Sequence, residues 1–137
     1  MARTTFSGPV VSQGGFVDGT RTTTAINATA VATAAEVASG YITSTSAAGT
    51  SITFPTGTLL GAELNAIAGT VFDLTVDNTG GASVVTMVVG VNAILSDAAT
   101  TTAASFGDLT IAAGVTGMAR YTLLFSSATA YTITRTA

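Results

Sequence analysis

An alternation of apolar and polar residues with a period of two limits the fold of this chain more than any other feature. Residues 72–77 read FDLTVD, so every second side chain is apolar and those between are charged or hydroxylated. This pattern indicates a strand with one buried face and one face in water, which is typical of antiparallel sheets. Residues 83–91 read SVVTMVVGV and are apolar on both faces. They predict a strand in the centre of a sheet.

Further segments follow the same alternation and are separated by turn residues. We expect strands at 37–44 and 51–54, joined across Ala47-Ala48-Gly49, and at 109–111 and 118–126, joined across AAGVTG. A last strand at 131–135 follows a turn at 127–130. The sequence therefore predicts a mainly β fold of about six or seven strands, either an antiparallel β-sandwich or a compact β-barrel.

One short helix is predicted between these strands. Leu60, Leu64 and Ile67 recur at helical spacing within residues 59–68. Thr58 is the expected N-cap, and Gly69 comes directly after the last turn. We expect this helix to lie across an edge or a face of the sheet.

The first 36 residues lack the periodicity of the rest. Residues 1–24 show no sustained period, and Gly and Pro interrupt them, whereas residues 25–38 fit a short helix or a strand equally well. We expect residues 1–36 to form an extended N-terminal arm and residues 37–137 to form a β-rich body. The apolar anchors of the arm would become ordered on a partner surface. The expected contact residues are Phe6, Pro9, Val10, Val11 and Phe16.

The composition argues against enzyme chemistry. The chain has no His and no Cys, so it lacks an imidazole base, a thiolate nucleophile and the usual ligands of zinc. Asp73 and Asp77 are the closest carboxylates on one strand face, and about 13 Å would separate them, which is too far for paired acid-base chemistry. We expect no catalytic residue, no cofactor, no metal site and no enzymatic activity.

The charge and hydropathy of the chain argue against nucleic acid and membranes as partners. Four basic residues and a net charge of −3 do not supply the positive surface that phosphates require. The mean hydropathy is +0.60, but Gly, Ser, Thr and Asn interrupt the longest uncharged intervals, 37–62 and 78–96. Neither interval can span a bilayer. The N-terminal residues do not resemble a secretory signal, so we expect synthesis without export.

The weakly charged surface favours assembly. Only 8% of the residues are charged, and such a surface protects poorly against association. We therefore expect an obligate homo-oligomer. Arginine makes all the cationic contacts of a chain without Lys, and its planar group suits fixed partners across an interface. The interface candidates are Arg3, Arg21, Arg120 and Arg135.

The three tyrosines have two possible roles. Tyr41, Tyr121 and Tyr131 could stack on a sugar or a base. Each of them, however, occupies an alternating strand segment, where packing in the core or against a neighbouring strand is the favoured role.

Several segments resemble small virion proteins of tailed bacteriophages, particularly marine and cyanobacterial phages. The similar segments are ARTTFSGPVVSQGGF at the start, ITSTSAAGTSITFPTG and GTVFDLTVDNTGGASVVTMVVG in the body, and YTLLFSSATAYTITR at the end. The similar proteins are capsid decoration or cement proteins. The resemblance implies a β-rich body, often trimeric, on the outer capsid surface. It also implies an extended segment, here residues 1–24, that reaches over neighbouring subunits of the major capsid protein.

Two functions follow as expectations. The first is a non-enzymatic decoration protein that oligomerises on the phage head and stabilises it by bridging adjacent capsid subunits. The alternative is a head-fibre or tail-associated module that binds a host receptor or glycan through an exposed tyrosine. Both functions place the protein in the virion after synthesis in the host cytoplasm.

Overall fold

The computed structural model describes residues 21–95 and 109–137, which form ten strands and two α-helices. The strands are β1 (Thr22–Ala25), β2 (Ala30–Val31), β3 (Gly40–Thr43), β4 (Thr50–Thr53), β5 (Val71–Asp77), β6 (Val85–Val88), β7 (Ala93–Leu95), β8 (Thr110–Ile111), β9 (Met118–Ser127) and β10 (Ala130–Arg135). The helices are α1 (Ala34–Ala38) and α2 (Gly57–Leu64), and a 3-10 helix covers Gly114–Thr116. The mainly β fold class is therefore confirmed.

The strands form two mixed sheets. The large sheet has the order β1-β3-β5-β9-β10-β7, and the small sheet has the order β2-β4-β6-β8. From β1 to β6, consecutive strands alternate between the two sheets. Two neighbours in one sheet are thus linked through a strand of the other sheet, and such a crossover makes them parallel.

This alternation overturns the expectation of an antiparallel fold. Five of the eight pairings between described strands are parallel. The predicted hairpin across Ala47-Ala48-Gly49 is wrong, because β3 lies in the large sheet and β4 in the small one. The predicted hairpin of 109–111 with 118–126 is wrong for the same reason, since β8 and β9 lie in different sheets.

Three local predictions are confirmed. In β5, Leu74 and Val76 are buried while Asp73 and Asp77 are partly exposed, as the alternation indicates. The strand β6 has a neighbour on each side. A short turn after β9 leads into β10, and the two strands are antiparallel.

The predicted helix exists, but it begins and ends earlier than expected. The N-cap of α2 is Thr56, whose Oγ1 accepts a hydrogen bond from the Leu59 backbone N–H at 3.3 Å. The helix ends at Leu64, and its C-cap Asn65 adopts the left-handed conformation with φ 49°. Asparagine tolerates this conformation well, and it closes the last turn.

Part of the predicted arm belongs to the sheets. Residues 21–36 contain β1, β2 and most of α1. The strand β1 pairs with β3, and β2 pairs with β4. In α1, Thr33 and Glu36 form a capping box. The packed part of the chain thus begins before residue 37, while residues 1–20 lie outside the described part.

Both sheets contribute to one hydrophobic core. Its largest members include Tyr121, Leu123 and Ile133 of the large sheet and Ile52 and Met87 of the small sheet, all almost fully buried. The ring of Phe54, directly after β4, contacts Tyr121 of β9 edge to face, with centroids 6.0 Å apart. This contact joins elements of the two sheets.

Candidate functional site

The outward side of the large sheet is the surface on which the polar and charged strand residues meet. Register and burial place alternate residues of five neighbouring strands on this side. We call this surface the outer face. It consists of Tyr41, Thr43, Val71, Asp73, Thr75, Asp77, Ile94, Met118, Arg120, Thr122, Leu124, Thr132 and Thr134.

Asp73 organises one part of the outer face. Its carboxylate accepts hydrogen bonds from the Thr122 hydroxyl at 2.6 Å and from Arg120 Nη2 at 2.7 Å. Arg120 and Asp73 also form a salt bridge on the partly exposed surface. The Thr122 hydroxyl, followed by the Arg120 guanidinium, lowers the pKa of Asp73 below its usual value. The arginine charge is therefore neutralised within the face.

Asp77 organises a second part. It accepts hydrogen bonds from the Thr79 hydroxyl at 2.6 Å, from the Thr79 backbone N–H at 2.9 Å and from the Tyr41 hydroxyl at 2.9 Å. These bonds, led by that of the Thr79 side chain, lower the pKa of Asp77. The same carboxylate raises the pKa of Tyr41, because it stabilises the protonated phenol as a donor.

We expect acid to destabilise the protein through these two carboxylates. Their folded-state pKa values lie below the unfolded value of about 3.9. Their contribution to stability is therefore complete above that value and is lost as the pH falls through the folded pKa values. Urea unfolding at pH 7, 4, 3 and 2 should show stability decreasing below about pH 4.

The double variant Asp73→Asn/Asp77→Asn should be less stable at pH 7 and should show a flatter decrease in acid. Glu63→Gln is the matched control, because this carboxylate is exposed on α2. An unchanged acid profile in the double variant would contradict this account.

An apolar row crosses the outer face beside these polar groups. Val71, Leu124 and Ile94 are 59%, 48% and 61% exposed. Val71 pairs with Leu124, and Thr132 pairs with both Leu124 and Ile94, so the row crosses four adjacent strands. Alternation within 118–126 puts Leu124 on the side opposite Leu123, but sequence patterning missed the row because it does not show which residues of other strands lie beside Leu124. Val71 and Leu124 lie side by side, whereas Thr132 lies between Leu124 and Ile94. Exposed apolar groups on one face are typical of interaction surfaces.

The arginines predicted at an interface have contacts within the chain. Arg21 Nη1 donates to the backbone carbonyls of Gly40 at 3.1 Å and Asp73 at 2.8 Å. Arg135 donates to the carbonyls of Thr110 and Ala137, both at 3.0 Å. Arg120 binds Asp73, and Arg3 lies outside the described residues. A role of these residues between subunits stays a prediction.

The tyrosines have distinct positions. Tyr121 and Tyr131 are fully buried, and the Tyr131 hydroxyl donates to the Pro55 carbonyl at 2.7 Å. Neither ring can stack on an external ligand. Only Tyr41, on the outer face, keeps part of its side chain in contact with solvent.

The predicted arm contacts Phe6, Pro9, Val10, Val11 and Phe16 lie outside the described residues. Within 21–95 and 109–137, no group of three or more His, Cys, Asp or Glu side chains could hold a metal ion. None of the described helices is long and apolar enough to cross a membrane. No protein-family model, no curated protein and no solved structure matches the chain.

Proposed function

We propose that the chain is a non-enzymatic structural protein of a tailed-phage virion, a decoration protein on the outer capsid surface. In this proposal it forms a homo-oligomer, with a trimer favoured by the resemblance of its sequence. Contacts through residues 1–20 bridge adjacent subunits of the major capsid protein, and the outer face joins the copies of the chain to one another. The two sheets pack face to face as a sandwich.

The apolar row on the outer face is the observation that carries the proposal. Val71, Leu124 and Ile94 are all about half exposed or more, on a surface where Asp73 neutralises Arg120. A protein surface can cover the apolar row and the adjoining Asp73–Arg120 pair without desolvating an unpaired charge, which is the usual penalty in an interface. Burial of apolar area between subunits is also how a decoration protein would stabilise a shell.

The test uses phage capsid shells that lack the protein. We expect the full chain to bind the shells and to raise their thermal disruption temperature. Deletion of residues 1–16 should reduce binding at least 10-fold, while the unfolding midpoint of the remaining chain stays close to that of the full chain. Leu124→Asp should weaken self-association at least 10-fold in sedimentation equilibrium, because it places a charge within the apolar row.

Leu59→Asp is the matched control for the outer face. Leu59 is similarly exposed, but it lies on α2 rather than on the large sheet. We expect this variant to associate and bind like the unchanged chain. Full binding of the shells by the truncated chain, or equal association of both Asp variants, would argue against the proposal.

A glycan-binding or receptor-binding module is the second candidate. The observation that favours it is the position of Tyr41 on the outer face, where its hydroxyl donates to Asp77 at 2.9 Å. Thr75 is paired with Tyr41 in the sheet, and Thr43 lies two residues further along β3. An aromatic ring beside fixed hydroxyls and a carboxylate can bind a sugar.

If this function is right, Tyr41→Ala should reduce attachment to host cells or to a glycan array at least 10-fold and leave shell stability unchanged. Thr132→Ala is the control, because Thr132 lies on the same face but in β10, three strands away from Tyr41. Normal attachment by Tyr41→Ala would exclude a site of this kind at Tyr41.

A further inference from the structure

Within residues 21–95 and 109–137, three buried side-chain oxygens at one end of the core form no hydrogen bond with a described group. They are Ser44 Oγ, Thr50 Oγ1 and Asn78 Oδ1, and the three residues are almost fully buried. We call them the oxygen cluster. A buried polar atom without a partner costs free energy, so nearly all such atoms in proteins bind another protein group or an ordered water. The oxygen cluster therefore indicates a bound ligand.

Two members of the oxygen cluster lie side by side in the large sheet. The Ser44 backbone N–H donates to the Asp77 carbonyl at 2.8 Å and so continues the parallel pairing of β3 with β5. Thr43 and Asp77 form a pair on the outer face. The next residue after each of them, Ser44 or Asn78, points into the core instead, because successive side chains of a strand point to opposite sides.

The third member faces them from the small sheet. Thr50 begins β4, and its side chain is buried between the sheets. Its backbone N–H donates to the Val84 carbonyl at 3.0 Å. Asn78 Nδ2 donates to the carbonyl of the preceding residue, Ser83, at 2.9 Å. Thr50 and Asn78 therefore contact consecutive residues of one segment, which brings the members of the cluster together.

Two loops cover this end of the core. Residues 45–49 lead from β3 to β4, and residues 79–83 lead from β5 towards β6. The Ala82 backbone N–H donates to the Ser46 carbonyl at 3.0 Å, which joins the two loops. Because each loop begins or ends beside a member of the oxygen cluster, the joined loops lie over the oxygens and separate them from bulk water.

Asn78 fixes the direction in which the ligand must lie. Its Nδ2 faces three carbonyls, those of Ser83 and Ala112 at 2.9 Å and that of Ile111 at 3.4 Å. Carbonyl oxygens would repel a side-chain oxygen in that position, so the amide cannot be reversed. Oδ1 therefore points away from them, towards Gly81, where an added Cβ would overlap it. This oxygen can only accept, so the ligand must donate a hydrogen bond or be a cation.

We propose that the oxygen cluster binds one buried water molecule, which links the two sheets beneath the loops. The water donates to Asn78 Oδ1 and forms hydrogen bonds with the Ser44 and Thr50 hydroxyls, each of which can donate or accept. Three partners are the usual number for a buried water. The Asn78 amide then joins the sheets through both of its ends, directly through Nδ2 and through the water at Oδ1.

A water molecule fits this site better than a metal ion. All three oxygens of the cluster are neutral, and the carboxylate next in sequence, that of Asp77, lies on the outer face, where it binds Thr79 and Tyr41. A buried cation without an opposite charge would be costly. The site does not depend on a role in the virion, so it can be tested on the isolated chain.

Thr50→Val tests the site, because valine keeps the shape of threonine and removes the hydroxyl. Loss of a bound hydroxyl should lower the equilibrium constant for folding about 5-fold or more in urea unfolding, since the water then loses a partner. Removal of an unpaired hydroxyl would instead leave stability unchanged or raise it.

Thr53→Val is the matched control, because Thr53 lies in the same strand but on its half-exposed side. This change should alter the folding constant by less than about 3-fold. A Thr50→Val variant that is as stable as the control, or more stable, would overturn the proposal.

Magnetic relaxation dispersion of the water oxygen nucleus counts long-lived internal waters directly. The unchanged chain and Thr53→Val should hold one such water more than Ser44→Ala/Thr50→Val, which leaves the water only Asn78 as a partner. Equal counts would overturn the proposal, even if the double variant were less stable. If the double variant does not fold, the sign of the Thr50→Val effect still decides.

The response to cations separates a water from an ion. At constant ionic strength, exchange of Na⁺ for K⁺ or addition of Ca²⁺ should shift the unfolding midpoint of the unchanged chain no more than that of Thr50→Val. A stabilisation by one of these cations that Thr50→Val lacks would overturn the water in favour of a bound ion.

Discussion

Gly61→Ala should destabilise the protein by about 3 kcal/mol, although the same change in an exposed helix is usually stabilising. A Cβ at Gly61 would lie far inside contact distance of the Ala128 carbonyl oxygen. Gly57, one turn earlier on α2, has the same relation to the Thr129 carbonyl. The helix therefore lies directly on the backbone of the turn between β9 and β10, and a methyl group would force the two apart. Urea unfolding monitored by circular dichroism measures the loss.

Gly49→Ala is the matched control. A Cβ at Gly49 would have Ser83 Oγ as its nearest neighbour at 3.6 Å, which is an ordinary contact. The φ angle of Gly49 is not positive. This variant should be unchanged or more stable by up to about 1 kcal/mol, because alanine reduces the entropy of the unfolded chain. If Gly61→Ala were as stable as Gly49→Ala, α2 could not lie against the turn as described.

The elements predicted correctly are those whose pattern is local. Alternation within FDLTVD was enough to place β5 and its buried side, because one strand with one buried face needs no knowledge of its neighbours. The antiparallel pair of β9 and β10 was predictable for the same reason, since a short turn leaves few other arrangements.

The arrangement of strands between two sheets was not predictable in this way. Six residues separate β3 from β4, a length that suits a hairpin. After β3, however, the backbone N–H of Ser44 continues the pairing with β5 and donates to the Asp77 carbonyl at 2.8 Å. A partner 33 positions away thus prevents the hairpin. Alternation describes which side of a strand is buried, but it carries no information about which sheet the next strand joins.

The candidate site was also predictable only in part. The outward position of Asp73 and Asp77 follows from the alternation, but the partners of Asp73, Thr122 and Arg120, come from a strand more than 40 positions later. For Asn78, the local sequence predicts the wrong environment. Its place in Asn-Thr-Gly-Gly indicates an exposed turn residue, yet it is fully buried, because its amide binds carbonyl groups of distant segments.

Asn78→Asp, although nearly isosteric, should lower the free energy of unfolding by about 3–5 kcal/mol at pH 7. Nδ2 of Asn78 donates to the carbonyls of Ser83 and Ala112, both at 2.9 Å, and lies 3.4 Å from that of Ile111. These contacts join the end of β5 in the large sheet to β8 in the small sheet. A carboxylate has no N–H to donate, and its charge would face carbonyl oxygens without solvent.

The pH dependence of this loss of stability distinguishes the cost of a buried charge from the loss of the amide hydrogen bonds alone. Burial beside carbonyl oxygens should raise the folded-state pKa of the introduced carboxyl above its unfolded value. The loss is then largest above the folded pKa. The difference from the unchanged chain should shrink as the pH falls from the folded pKa towards about 4 and should be smallest below about 4, where the carboxyl is protonated in both states.

Asn27→Asp is the matched control, because Asn27 is exposed and its Oδ1 accepts a hydrogen bond from the Thr45 backbone N–H at 2.8 Å, which a carboxylate can also accept. This change should alter the free energy of unfolding by less than about 0.5 kcal/mol, both at pH 7 and below about pH 4. Equal effects of the two Asn→Asp changes would mean that Asn78 does not join the two sheets through its amide. A difference that does not depend on pH would mean that the loss does not come from a buried charge.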